Sequence, residues 1–331
     1  MYLWRRQVNI VIADDYQNCV KDLKCFSTLE GNETTIYVEP TKDKKELIKR
    51  FINADIIVVV RERITIDEEL LQGLPRLKLV ALVGRNSKFI DYAACTKYGV
   101  AVTHGEAASH LAPAECALAL MLAARRNIVL EAARMKAGLF PITLSHRLNG
   151  STLGIYGLGE IGEVVAKAAQ GLGMKILVWG RGGSFDRAKS LGFEVAKSRE
   201  DFFSNSDVIS IHLRYNKDTF GMVKLADLMM MKTTALIVNT ARAELIESGA
   251  LEKALESGRP GYAAVDVYEN EPILNGDHPL LKMDNVVCLP HLGWADHDTF
   301  ELYFGEAFDQ VDRFLKKQPL RLVNKEVVFK N

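Results

Sequence analysis

The residues between 151 and 184 carry the clearest local chemistry in this chain. Gly157-Leu-Gly159-Glu-Ile-Gly162 directly follows the apolar run TLGIY and opens a helical stretch over 161–171. Glycine at the first position permits a tight turn, and at the second it lets the backbone approach a pyrophosphate. At the third it lets helix and strand pack closely, while the helix start offers free N–H groups and positive dipole. The motif is weak alone, but here it stands in the strand–turn–helix setting it needs. About 20 residues on, a typical NAD site places an Asp or Glu against the ribose 2′-hydroxyl. Here the run KILVW ends in Gly180-Arg181-Gly182-Gly183-Ser184, so the acid is missing. A carboxylate would repel a 2′-phosphate, whereas Arg181 suits it bidentately, with Ser184 as an extra donor. NADP(H) is therefore the expected preference. A second reading, Arg181 as a solvated loop residue stacked on adenine, leaves NAD(H) open.

The other reactive side chains are dispersed. None of the seven histidines has metal-ligand spacing with another His or a carboxylate pair, so no metal is expected. Cys19, Cys25, Cys95, Cys116 and Cys288 form no CxxC pair, which argues against a disulfide framework or zinc site and fits a reducing cytoplasm. Lys plus Arg number 42 and Asp plus Glu 42, giving zero formal charge over 331 residues. That balance lacks the basic excess of nucleic-acid binders and membrane-surface proteins, so neither partner is expected. The most apolar run, 116–124, is too short for a bilayer, and the start, MYLWRRQVNIVIADD, reads as a first strand and not a signal peptide.

These groups must be positioned by the rest of the chain, whose length suggests two domains. Short β-branched runs alternate with helical stretches. Strands are expected over 8–13, 34–39, 55–60, 77–83 and 100–103, with helices over 43–53 and 90–97 among them. A long helical segment over 112–136 follows. A second series of strands then spans 152–156, 175–179, 208–213, 235–239, 263–267 and 286–289. Nearly continuous apolar strands separated by helices imply parallel sheets covered on both faces, so the chain reads as α/β with two doubly wound domains. Apolar residues at helical spacing over 296–317 (Phe300, Tyr303, Phe304, Phe308, Val311, Phe314) predict a terminal helix that returns to the first domain.

Further segments follow the glycine loop in order: VISIHL, MKTTALIVNTARAELI, AAVDVYENEP and VVCLPHLGW. VVRERITI and GRNSKFIDYAA precede it. In this order and spacing the whole chain resembles the D-isomer-specific 2-hydroxyacid dehydrogenase family, on its glyoxylate/hydroxypyruvate reductase-like branch. The resemblance implies a flavodoxin-like substrate domain, 1–108 plus 298–331, and a Rossmann cofactor domain, 109–297. It also implies a homodimer, with 112–136 as a plausible interface. The family's catalytic arginine falls on Arg242 in NTAR, its glutamate on Glu271 in ENEP and its histidine on His291 in LPHLG. Asp266 in VDVY matches the aspartate that holds the nicotinamide carboxamide. Glu160 and Ile161 of the loop and Thr240 of NTAR are implied as cofactor contacts. Two departures stand out: Arg242 is followed by Ala243 where the family often has glycine, and Gly180 replaces the usual acid.

The implied roles make chemical sense. Reduction of a 2-keto acid needs hydride delivered to the carbonyl carbon and a proton for the developing alkoxide. Histidine ordinarily titrates near neutrality, so His291 suits the acid, and a carboxylate partner, Glu271, favours the imidazolium. Arg242 offers a rigid fork for the substrate carboxylate and polarises the carbonyl. In the first domain, Gly84-Arg85-Asn86-Ser87 follows the run LKLVALV, and its amides are expected to meet the substrate carboxylate. Whether Arg85 or Arg61 turns toward substrate stays open, and the same segment also reads as a plain strand-to-helix turn. The partner expected throughout is a small 2-keto or 2-hydroxy acid. Two other readings are a dehydrogenase-like nucleotide-sensing corepressor or regulatory binding protein, and a dehydrogenase of formate or phosphite. The corepressor class tends to carry extra terminal segments, and only 40 residues follow His291.

Overall fold

The computed structural model describes residues 8–60, 63–85 and 87–328; Arg61 and Asn86 therefore lie outside the described residues. Two compact units divide the chain. One comprises the residues up to Ala108 with those from Asp296 onward, and the other is Ser109–Ala295.

In the first unit, strands β1 (Asn9–Ala13), β2 (Glu33–Ile36), β3 (Ile56–Val60), β4 (Leu79–Val83) and β5 (Ala101–Thr103) form one sheet of order β2-β1-β3-β4-β5. All pairings are parallel. This is the flavodoxin-like order, with its reversal between β1 and β3. β3 and β4 are buried along their whole length, as expected of unbroken Ile/Val/Leu runs. Helix Lys44–Phe51 begins at Asp43, whose carboxylate accepts from the Lys45 amide, and buries Leu47 and Phe51. The terminal helix is His297–Leu315, capped by Asp296 accepting from Thr299 N at 2.9 Å. It packs on β4 and on the 3-10 turn Lys24–Leu29. Phe300, Phe304, Phe308 and Val311 form its buried stripe, while Tyr303 and Phe314 stay partly exposed. Burial of such side chains contributes about 1.5–3 kcal/mol each. Beyond the helix, Asn324 accepts from Val102 N at 2.8 Å and donates to Val100 O at 2.9 Å, fastening the tail to β5.

The second unit holds seven parallel strands: β6 (Thr152–Tyr156), β7 (Lys175–Trp179), β8 (Glu194–Val195), β9 (Val208–Ile211), β10 (Leu236–Asn239), β11 (Tyr262–Val265) and β12 (Val286–Cys288). Their order, β12-β11-β10-β9-β6-β7-β8, is the Rossmann arrangement with one strand added, and it reverses between β6 and β9. Successive strand residues feed opposite faces. Ile209, Ile237, Ala263 and Val265 enter one core, and Val208, Leu236, Val238 and Ala264 the other. The doubly wound α/β expectation is thus met in both units.

Several elements differ from expectation. The 112–136 segment is not one helix but two, Leu111–Arg125 and Ile128–Lys136, parted at Asn127 with φ 51°. Asparagine is among the few residues that tolerate this left-handed conformation, so apolar periodicity runs through a break it cannot register. The strand expected over 208–213 stops at Ile211. A further helix, Gly182–Leu191, opens on Gly182 and Gly183.

Candidate active site

The glycine loop shows three distinct requirements. Gly157 has φ +95°, and a Cβ there would sit 3.0 Å from His212 O. At Gly162 a Cβ would lie 2.6 Å from Gly157 O, so only glycine lets helix Glu160–Gly171 close on β6. Gly159 is the opposite case: nothing lies within 4 Å of an added Cβ, and no side chain caps the helix that starts there. Open space beside uncapped amides is what an approaching pyrophosphate needs, so these residues fit a dinucleotide. Glu160 is exposed and its Oε2 lies 3.2 Å from His110 Nδ1, while Ile161 packs partly buried against the core.

Gly180 ends the turn after β7, and a Cβ there would stand 2.7 Å from Ser184 Oγ. That hydroxyl accepts from Leu158 N at 3.1 Å, inside the glycine loop. The missing acid therefore has a steric cause: Ser184 occupies the space an aspartate would enter, and it braces the loop as well. Arg181 is exposed and immediately precedes helix Gly182–Leu191. His212 follows β9 with its Nε2 2.9 Å from Ser210 Oγ, and burial pushes its pKa down to about 4, so it is neutral at physiological pH.

The three strands beyond β9 carry the remaining groups at their carboxyl ends, where open α/β sheets place ligands. After β10, Asn239 brackets a turn: its Oδ1 accepts from Ala241 N at 3.0 Å and its Nδ2 donates to Arg242 O at 2.9 Å. Thr240 lies within that turn. Arg242 is half-buried, with Nη1 donating to Ala241 O at 2.5 Å. After β11, Asp266 is fully buried and accepts from Leu292 N and Gly293 N, both at 2.7 Å. Burial pushes its carboxyl above the usual range, and the two amide donors oppose that. After β12, His291 adopts φ 56°, in the loop those amides fix. Its Nδ1 lies 2.5 Å from Glu271 Oε2, and Glu271 Oε1 accepts from Tyr268 N at 2.9 Å. The Tyr268 hydroxyl donates to Leu289 O at 2.9 Å, tying the glutamate's loop to the histidine's.

The structure thus brings Glu271, His291 and the Asp266 anchor together. Asn239 and Tyr268, which the sequence reading passed over, hold the turns that carry Arg242 and Glu271. An Asn at a strand end is a turn signal in its own right, but Tyr268 has no local one. In the first unit, Arg85 is exposed and donates through Nε and Nη2 to Glu106 O at 3.3 and 3.1 Å. Ser87 is buried; its amide donates to the Tyr92 hydroxyl at 2.9 Å, which donates back to Ser87 O.

Residues 118–293 match the family model of the D-isomer specific 2-hydroxyacid dehydrogenase NAD binding domain. The chain belongs to the D-isomer specific 2-hydroxyacid dehydrogenases. Among the relatives of this dehydrogenase, the glyoxylate reductase of Aeropyrum pernix is 38% identical over 273 residues, covering 80% of this chain and 81% of that one. The glyoxylate reductase of Thermococcus litoralis is 34% identical over 307 residues, covering 88% and 91%. The crystal structure of a phosphoglycerate oxidoreductase from Vibrio cholerae superposes with a TM-score of 0.90 at 43% identity, covering 94% of this chain and all of that one. The family makes the dehydrogenase an oxidoreductase with a pyridine nucleotide cofactor. Among the described residues of this 2-hydroxyacid dehydrogenase, no helix is long and apolar enough to cross a membrane.

Proposed function

We propose that this chain reduces small 2-keto acids to D-2-hydroxy acids, using NADPH in preference to NADH. The observation that carries the reading is the His291–Glu271 pair, 2.5 Å apart at the carboxyl end of β12 in a nucleotide-binding sheet. A carboxylate on Nδ1 orients the ring and leaves Nε2 to hold a proton for the substrate oxygen. One Glu271 oxygen meets His291 Nδ1 and the other is fixed by the Tyr268 amide, so the pair is held before substrate arrives. Arg242 binds the substrate carboxylate and draws electron density from the carbonyl. The bound nicotinamide supplies the hydride. The glycine loop and the first amides of helix Glu160–Gly171 would hold the pyrophosphate, with Thr240 and Asp266 as the contacts the family pattern implies and Asp266 also fixing the Leu292 and Gly293 amides. Arg85 and Ser87, expected on the substrate side, are engaged within the first unit by Glu106 O and the Tyr92 hydroxyl. The likeness to two glyoxylate reductases supports a small keto acid as substrate.

The cofactor preference rests on Arg181, exposed at the start of a helix that no side chain caps, so guanidinium and backbone amides both suit a 2′-phosphate. Steady-state oxidation of NADPH and NADH with glyoxylate and hydroxypyruvate tests both parts. NADPH is expected to be the better substrate. Arg181→Ala is expected to raise the NADPH KM roughly 10- to 100-fold, the value of charge-assisted hydrogen bonds to phosphate, with little change for NADH. Equal losses for the two cofactors sink the 2′-phosphate role, and no oxidation with any keto acid sinks the reading as a whole.

A further inference from the structure

In the second unit β6 lies between β7 and β9, with Tyr156 level with Trp179 on one side and with Ile211 on the other. The glycine loop that leaves β6 is therefore flanked by the segments that leave those two strands, and both approach the same residue. A Cβ on Gly180 would stand 3.6 Å from Gly157 Cα, and a Cβ on Gly157 would stand 3.0 Å from Leu213 Cδ2. The residue after Gly180 is Arg181, and the residue after Leu213 is Arg214. Both are exposed, and neither guanidinium has a hydrogen-bond or ion-pair partner among the described residues. Other arginines of this unit are spent on the framework: Arg125 donates to Thr234 O, Arg187 pairs with Glu163 and Arg199 with Asp227.

The backbone at Arg214 is pinned although its side chain is not. The Arg214 carbonyl accepts from the Thr219 hydroxyl at 2.8 Å, and Thr219 is buried. Asn216 closes the same turn, its Oδ1 accepting from Asp218 N at 2.9 Å and from Thr219 N at 3.2 Å. A fixed backbone sets where the side chain starts, so less freedom is lost when the guanidinium takes a ligand. Neighbouring strands lie about 4.8 Å apart, so β7 and β9, with β6 between them, end roughly 10 Å from each other. Two extended arginine side chains, one from each side of the loop, close that gap on a single small anion.

The chemistry of the anion asks for two such groups. A phosphate monoester carries a charge of about −1.5 to −2 at neutral pH and three strong acceptor oxygens, more than one guanidinium neutralises or fills. Ser184, expected beside Arg181, has its hydroxyl turned onto Leu158 N inside the glycine loop. We infer that Arg214 clasps the 2′-phosphate of NADPH together with Arg181, which makes it a second determinant of cofactor preference. This rests on the NADPH reading and deepens it. The device discriminates in both directions. The phosphate gains a second charge-assisted fork, whereas a 2′-hydroxyl leaves two cations facing one another across the loop without a counter-charge.

Adenosine 2′,5′-bisphosphate and adenosine 5′-monophosphate differ by the 2′-phosphate alone, and titration calorimetry on the whole protein reads their binding without turnover. Wild-type protein is expected to bind the bisphosphate roughly 10- to 100-fold more tightly, the range for hydrogen bonds between charged groups. Arg214→Ala is expected to weaken the bisphosphate roughly 10-fold and to leave the monophosphate within about twofold. Arg214→Lys keeps the charge without the fork and is expected to recover part of the loss. Lys217→Ala removes another exposed cation from the same turn and is expected to alter neither affinity. A preference that survives Arg214→Ala but not Arg181→Ala overturns the inference and leaves the NADPH reading standing. Equal weakening of both ligands by Arg214→Ala would make Arg214 a contact of the shared adenosine, and an equal loss in Lys217→Ala would reduce it to a diffuse field; either overturns the inference. Equal affinities of the wild type for the two ligands would remove the 2′-phosphate role from both arginines.

Discussion

Replacement of His291 by alanine lowers turnover roughly 10²- to 10⁴-fold, the usual share of a positioned acid–base group, while cofactor affinity stays within about twofold. The separation of the two effects comes from where the groups sit. The glycine loop follows β6 and is shaped by Gly157, Gly162 and Ser184, none of which touches His291. The histidine follows β12, in a loop held by the Asp266 carboxylate through the Leu292 and Gly293 amides. Removing the imidazole leaves those anchors intact, so the fold of the loop persists and only the proton donor goes. Pre-steady-state oxidation of NADPH and fluorescence titration of the cofactor check the two halves. Undiminished turnover removes His291 from the mechanism. Lost cofactor binding would make its role structural.

Arg242→Gln carries the second large effect. A single preorganised donor to developing charge is worth roughly 10²- to 10³-fold in rate, or about 3–4 kcal/mol, and a guanidinium that also grips the substrate carboxylate adds to KM. Both kcat and the keto-acid KM are therefore expected to worsen, with kcat/KM falling at least 10³-fold overall by these magnitudes. Asn239 holds the turn from both sides and does not depend on the Arg242 side chain, so the substitution tests the guanidinium and not the loop. Steady-state kinetics with glyoxylate measures it. A change confined to cofactor KM would move Arg242 out of the substrate's reach.

How much of this was legible beforehand depended on whether a feature is local. The Gly157–Gly162 loop is local in sequence and in space, and Gly157 and Gly162 show the tight turn and the close helix–strand packing expected of them. The doubly wound sheets were legible for a similar reason, since β3 and β4 are unbroken apolar runs. Arg242, Glu271 and His291 were legible only as a family pattern, because nothing within a few residues of His291 announces the Glu271 contact 20 positions away. The break at Asn127 escaped a periodicity that cannot register one left-handed residue. The helix that Gly182 and Gly183 start after Arg181 had no local signal, since glycine is a poor helix former. The steric crowding at Gly180 lay in Ser184, whose placement depends on the helix that Gly182 opens.

The most direct test of the central claim is the chirality of the product. Wild-type protein incubated with NADPH and hydroxypyruvate is expected to yield glycerate of the D configuration, one molecule for each NADPH oxidised. L-Glycerate, a racemic mixture, or no glycerate at all would contradict the assignment of this chain as a reductase that forms D-2-hydroxy acids.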